Sequence, residues 1–268
     1  MNITIMPSVA SGEINAPPSK SCAHRLLICA ALANGKSVIE NIGTNDDIIA
    51  TISCLKDLGA RIEIEGNKAV VYGIENNSKK ETVNLFCNES GSTLRFLIPV
   101  SLLFSNIAIF SGSDRLLERP QSVYEELFSN VGCYLKKEEK SLVAGGELKS
   151  GTYRMRGDIS SQFITGLIFA LVYLGEESKI RIIPPFESRS YVNLTLSALN
   201  SFGADIEFED EYTVAIRKAK LHSFSGSVEG DYSNAAFLDA FNYIGSDVQT
   251  GNLNADSLQG DRIYKKYF

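Results

Sequence analysis

Lys20, Ser21 and Arg25 open a stretch of Leu, Ala, Ile and Cys that runs to Gly35. Two cations, a hydroxyl and the unpaired N–H groups of a helix start, gathered at one spot, suit the holding of an anion. Hydroxyl-rich openings return down the chain at Ser92-Thr93-Leu94-Arg95, at Ser160-Ser161-Gln162-Phe163 and at Ser233-Asn234-Ala235. Each precedes an apolar run. Arg119-Pro120 and Ser188-Arg189-Ser190-Tyr191 add further cations and hydroxyls beside helix starts. Capping alone explains a single such opening. Four of them favour a common purpose, because converging helix dipoles call for negative charge between them.

The elements that must position these residues repeat. Ser21, Ser92, Ser161 and Ser233 recur at intervals of about 70 residues, the mark of an internal repeat. A second landmark, a glycine closing an amphipathic helix, has the same period at Gly59, Gly132 and Gly203. Each unit reads as strand, apolar helix, strand, amphipathic helix and hairpin, a βαβαββ pattern. In the first unit Gly12 to Ala16 is the opening strand. Ser19 or Ser21 caps the buried helix, which Gly35 ends in a left-handed conformation. Ser37 to Glu40 is a strand, Asp46 to Leu58 the amphipathic helix capped by Asn45 or Asp46, and Arg61 to Tyr72 a hairpin around Gly66-Asn67. The second unit has its buried helix at 92–104 and its amphipathic helix at 121–131. The third has these at 161–174 and 191–202. A fourth begins at Ser227, passes through its own buried helix and a strand at 247–250, and enters an amphipathic helix near Gln259. The chain stops inside that helix.

The fold class read from this pattern is α/β (α+β). Repeated βαβαββ units surround a pseudo-threefold axis, with parallel helices buried at the centre and sheets outside. Residues 18–228 make one complete three-unit domain, and 1–17 with 229–268 make an incomplete portion of a second.

Composition narrows the function. A net charge of −6 argues against a general nucleic-acid binder, so local cations must hold any anion. Five widely spaced cysteines without a C-x-x-C pair read as reduced core residues of a cytoplasmic protein. Met1 to Pro7 alternates like a strand and lacks the apolar run of a signal peptide, and no segment is long enough to span a bilayer. With only His24 and His222, a histidine metal site or a Ser-His-Asp triad is not expected. His24 is expected to turn away from the anion site.

Taken together, Pro18-Ser19-Lys20-Ser21 with Arg25, Gly91-Ser92-Thr93-Leu94-Arg95, Glu118-Arg119-Pro120, Ser160-Ser161-Gln162-Phe163, Ser188-Arg189-Ser190-Tyr191 and Gly230-Asp231 resemble the 5-enolpyruvylshikimate-3-phosphate synthase family in order and spacing. The resemblance implies the enolpyruvyl transferase fold of two domains that close on substrate. It also implies transfer of the carboxyvinyl group of phosphoenolpyruvate to the 5-hydroxyl of shikimate 3-phosphate, a step of the shikimate pathway to aromatic amino acids, without metal or organic cofactor. By motif match, Ser21, Arg25, Ser160, Ser161, Ser188 and Tyr191 hold shikimate 3-phosphate, and Gln162 lies between the substrates. Lys20, Arg119 and the backbone at Gly91 and Ser92 face phosphoenolpyruvate, with Lys20 the one catalytic proton-transfer candidate.

The chain departs from the family at Pro18, where Gly is commoner, and at Glu89, where many members have Asn. The family's acid/base carboxylates fall in units this chain lacks, so the 268 residues alone are expected to be inactive until a separate C-terminal half is supplied. Two rivals stand beside this reading. One is a non-catalytic fragment that binds phosphorylated ligand. The other is a relative acting on UDP-N-acetylglucosamine, disfavoured by Ser21 and by the absence of Cys near Arg119.

Overall fold

The computed structural model describes residues 3–4, 6, 8–75 and 79–267. The alternation read at Met1 to Pro7 lies mostly outside them. The chain begins with β1 (Ser11–Asn15), α1 (Lys20–Leu32), β2 (Lys36–Glu40), α2 (Asp46–Leu58), β3 (Arg61–Glu65) and β4 (Lys68–Tyr72). There follow β5 (Lys80–Phe86), α3 (Gly91–Phe104), β6 (Ser105–Ser111), a short α4 (Asp114–Leu117), α5 (Ser122–Ser129), β7 (Cys133–Lys137) and β8 (Leu142–Gly146). The next stretch holds β9 (Thr152–Arg156), α6 (Ser161–Leu174), β10 (Ser178–Ile183), α7 (Arg189–Ser201), β11 (Ile206–Phe208) and β12 (Thr213–Ile216). Last come β13 (Ser225–Ser227), α8 (Tyr232–Tyr243), β14 (Asp247–Gly251) and a 3-10 helix at Gly260–Lys266.

Three four-stranded sheets share one plan, β13-β2-β4-β3, β5-β6-β8-β7 and β9-β10-β12-β11. In each, the first two strands run parallel and the last two form an antiparallel hairpin, and in the second and third sheets a buried helix connects the parallel pair. The repeated-unit reading fits this plan. One element of it is corrected: the strand at Gly12 to Ala16 does not open the first sheet. β1 pairs in parallel with β14, Ser11 opposite Asp247, whereas the first sheet takes β13 from the far end of the chain, Ser225 opposite Val38. The two passing segments are stitched where they cross. Ser19 N–H donates to the Glu229 carbonyl at 2.8 Å, Asp231 N–H to the Pro17 carbonyl at 2.8 Å, and Pro18 bridges Gly230. A Cβ at Gly230 would lie 2.2 Å from the Asn252 carbonyl oxygen, so only glycine lets the strands approach this closely.

The main core is built from the apolar faces of α1, α3 and α6, with Leu27, Ile28, Phe96, Leu97, Phe163 and Phe169 each no more than 1% exposed. Each such side chain contributes roughly 1.5–3 kcal/mol by burial. Phe96 and Phe169 meet edge to face at 5.8 Å between centroids. A smaller, separate cluster gathers Ala16, Tyr232, Ala235 and Tyr264.

Three further expectations change. α1 ends at Ala33 in extended backbone; Gly35 does have a positive φ of 94°, but beyond the cap. The helix of the fourth repeat, α8, is largely exposed: among its residues Tyr232 and Ala235 are buried, and Phe237 is 77% exposed, with β14 and the closing 3-10 helix its main neighbours among the described residues. The amphipathic helix at Gln259 is 3-10 rather than α, capped by no side chain. Among the described residues no helix is long and apolar enough to cross a membrane. All five cysteines are free, and all but Cys22 are buried.

Candidate anion site at the helix starts

Arg25 is the centre of the site. It lies one turn into α1 and is only 3% exposed, packed against the rings of Phe96 and Tyr191. Its guanidinium donates to Thr195 Oγ1 at 2.8 Å, the Tyr191 carbonyl at 2.9 Å and the Ser21 carbonyl at 2.7 Å. Among the described residues no carboxylate forms an ion pair with it. Burial lowers its pKa to about 10, so it remains a cation at neutral pH, held by oxygen dipoles rather than by a counter-charge. Thr195 Oγ1 also lies 3.0 Å from Thr165 Oγ1, which ties α1, α6 and α7 together around the guanidinium.

Lys20, in the first turn of α1, is half exposed and reaches Asp47 at 2.6 Å, in the first turn of α2. The carboxylate sits where a helix N-terminus favours it. Ser19 precedes α1 without capping it, and its hydroxyl donates to Gln259 Oε1 at 3.1 Å. Ser188, before α7, adopts a left-handed backbone with φ 55° and is likewise not a side-chain cap. The two helices that flank Arg25 therefore begin with uncapped N–H groups. In contrast, Ser90 accepts from Thr93 N–H at the head of α3, and Ser160 from Gln162 N–H at the head of α6.

A second cationic corner forms where α3 and α6 meet. Gln162 donates to Ser92 Oγ at 2.9 Å and accepts from Arg95 Nη1 at 2.9 Å. Arg95 lies over the Phe163 ring, 4.7 Å from its centroid, and burial lowers its pKa. Arg119 closes the corner, its guanidinium resting on Gly91. Ser161 is buried in the first turn of α6. The Glu89 carboxylate lies 3.4 Å from Arg115, both side chains exposed.

The third side comes from the far end of the chain. The Tyr191 hydroxyl donates to Asp261 at 2.9 Å, and Ser233, at the start of α8, donates to the same carboxylate. Burial, reinforced by Asp261, pushes the Tyr191 phenol up to about 12, so it stays protonated. His24 does turn away. It is 1% exposed and bonded to Thr51, and burial pushes its pKa down to about 3.

The structure thus joins Ser21, Arg25 and Tyr191 in one bonded set, and Ser92, Gln162 and Ser160 in another, while Lys20 pairs with Asp47. Gly91 and Arg119 touch each other beside the second. Ser188 stands exposed at the head of α7 and Ser161 is enclosed. Arg95, Asp47, Thr195 and Asp261 also belong to the arrangement, and no role for them was read from the sequence. Arg95 carried a signal, one turn beyond Ser92 within the Gly91–Arg95 motif. Asp47 and Asp261 carried none, because their partners lie far away in the sequence.

The family described as EPSP synthase (3-phosphoshikimate 1-carboxyvinyltransferase) matches residues 6–267. The chain is 43% identical over 270 residues to the 3-phosphoshikimate 1-carboxyvinyltransferase of Clostridium beijerinckii, and 43% over 273 residues to that of Clostridioides difficile. Each match covers 97% of this chain and 62% of the relative, so the chain spans less than two thirds of their length. Its fold is similar to that of an EPSP synthase from Acinetobacter baumannii, with a TM-score of 0.73 at 21% identity, covering 92% of this chain and 57% of that one. On the family match across nearly its whole length, the chain belongs to the EPSP synthase family.

Proposed function

We propose that this chain supplies the shikimate 3-phosphate side of a 3-phosphoshikimate 1-carboxyvinyltransferase. In that reaction the 5-hydroxyl of shikimate 3-phosphate gives up its proton and bonds C2 of phosphoenolpyruvate while C3 takes up a proton, and cleavage of the C2–O bond to phosphate with loss of a proton from C3 restores the double bond of the carboxyvinyl ether. The observation that carries the reading is Arg25: a buried guanidinium that no carboxylate pairs with among the described residues, between two helices whose first N–H groups no side chain caps. A phosphate there would meet fixed donors without the cost of reorganising solvent.

In this reading Ser21, Arg25, Ser160, Ser161, Ser188 and Tyr191 hold shikimate 3-phosphate, and Gln162 lies between the substrates. Lys20, Arg119 and the N–H groups at Gly91 and Ser92 face phosphoenolpyruvate. Residues 18–228 form the complete lobe, and 1–17 with 229–268 belong to the other. The unpaired thiols favour a cytoplasmic setting.

Lys20 is the proton-transfer candidate of this lobe, and Asp47 already engages it. General acid–base work at both the hydroxyl and the vinyl carbon needs more groups than that. A polypeptide of these 268 residues is therefore expected to release no phosphate from phosphoenolpyruvate in the presence of shikimate 3-phosphate. Release is expected once the remaining portion of a relative is added, fused or in trans. A release assay on the chain alone decides: robust turnover abolished by Lys20→Ala would put the acid/base groups within these residues.

A further inference from the structure

Three buried side-chain atoms lack a partner among the described residues, and one is Nε2 of His24. Its other nitrogen opens a chain of hydroxyls. Nδ1 lies 2.8 Å from Thr51 Oγ1, which lies 2.7 Å from Thr93 Oγ1, which lies 2.7 Å from Ser90 Oγ. The far end fixes the proton directions. Thr93 Oγ1 donates to Ser90 Oγ and also lies 3.4 Å from the Asp47 carbonyl, which can only accept. The Thr93 proton therefore points toward Ser90 and Asp47. Its oxygen must then accept from Thr51, whose single proton is used. What reaches Thr51 from the imidazole has to be an N–H. Nε2 is left as a bare lone pair, consistent with buried orphan donors being rarer than under-satisfied acceptors.

We infer that His24 is a positioning residue: as the neutral Nδ1–H tautomer it donates into the Thr51–Thr93–Ser90 chain and so locks the starts of α2 and α3 against α1. Thr93, within this lock, also reaches the carbonyl of Asp47, whose side chain pairs with Lys20, and Gly91 and Ser92 lie between Ser90 and Thr93 in the sequence. His24 thereby sets the spacing between the groups assigned above to phosphoenolpyruvate, and this last consequence rests on the proposed function. The tautomer and the lock do not.

The chain has only two histidines, which makes the test direct. Long-range proton–nitrogen correlation spectra of the nitrogen-15-labelled chain, with His222→Gln to remove the other signal, are expected to show His24 protonated at Nδ1 and bare at Nε2. An Nε2–H tautomer or an imidazolium at neutral pH would overturn the inference. His24→Leu removes the donor, and amide exchange at Thr93 is expected to quicken about tenfold, the worth of one modest hydrogen bond. His24→Asn, which keeps a short N–H donor, is expected to restore most of that protection. Thr51→Val cuts the same chain one link on and gives the same readout if His24→Leu fails to fold. Unchanged Thr93 exchange in these variants would also overturn the inference. If the tautomer and exchange results hold while the unmodified chain binds no shikimate 3-phosphate, the lock stands and the functional reading falls.

Discussion

The Arg119 guanidinium lies across the bare Cα of Gly91: a Cβ placed there would sit 2.6 Å from Arg119 Nη1. The obstacle is the end of a flexible side chain, so Gly91→Ala is expected to fold and to displace Arg119 rather than the backbone. Binding of phosphoenolpyruvate, measured by calorimetry with shikimate 3-phosphate present, is expected to weaken about tenfold, as for loss of one charge-assisted contact. Thermal unfolding should change little. Unaltered affinity would remove Arg119 from the phosphoenolpyruvate side.

Gly166 presents the opposite case. Its Cβ would lie 2.3 Å from the Tyr124 hydroxyl and 2.4 Å from the Arg95 carbonyl oxygen, where α3 and α6 cross. Tyr124 is itself pinned, with its hydroxyl 2.8 Å from the carbonyls of both Arg95 and Phe163. Gly166→Ala must push α3 and α6 apart, at a cost of about 1–3 kcal/mol or more. Urea unfolding at neutral pH measures it. A midpoint equal to that of the unmodified chain would show that the crossing can relax.

Burial at His24 gives stability a pH dependence of definite sign. The unfolded chain takes up a proton near pH 6.5, whereas the folded chain resists until about pH 3. Arg25 and Lys20 nearby reinforce the depression, and Asp47 opposes it. The unfolded state binds more protons between these limits, so stability is full above pH 6.5 and falls as pH is lowered, by up to about 1.4 kcal/mol per unit from this group. Carboxylates contribute their own slope, so the quantity to read is the difference between the unmodified chain and His24→Asn in urea melts from about pH 7 to about pH 5. A constant difference across that range would mean that His24 protonates freely in the folded state.

Local signals in the sequence located most of the elements and missed their partners. Asn45 caps α2 and Gly59 closes it at φ 124°, so its ends were legible, as were those of α6 from Ser161 to Leu174. The hairpin turns at Gly66-Asn67, as expected of Gly with its φ of 60°. What a periodicity cannot say is which strand lies alongside. β1 and β13 both lead into helices of one type, and only the stitched crossing at Pro18 and Gly230 reveals that they trade sheets. The apolar character of α8 was plain, but its burial needs a neighbour that the described residues do not provide over Phe237 and Phe241. In the site, helix-start residues could be found because caps have a local grammar. The bonds from Lys20 to Asp47 and from Tyr191 to Asp261 join distant helices and had no such mark.

The proposed function rests on Arg25 as the residue that binds the phosphate of shikimate 3-phosphate. Titration calorimetry of the 268-residue chain with shikimate 3-phosphate, beside unphosphorylated shikimate and the Arg25→Ala variant, tests it directly. Saturable binding of the phosphorylated compound is expected, with little binding of shikimate and a loss of about 1.5–3 kcal/mol in Arg25→Ala, the usual worth of a hydrogen bond to a charged group. No binding at millimolar shikimate 3-phosphate, or equal binding in Arg25→Ala, would contradict it.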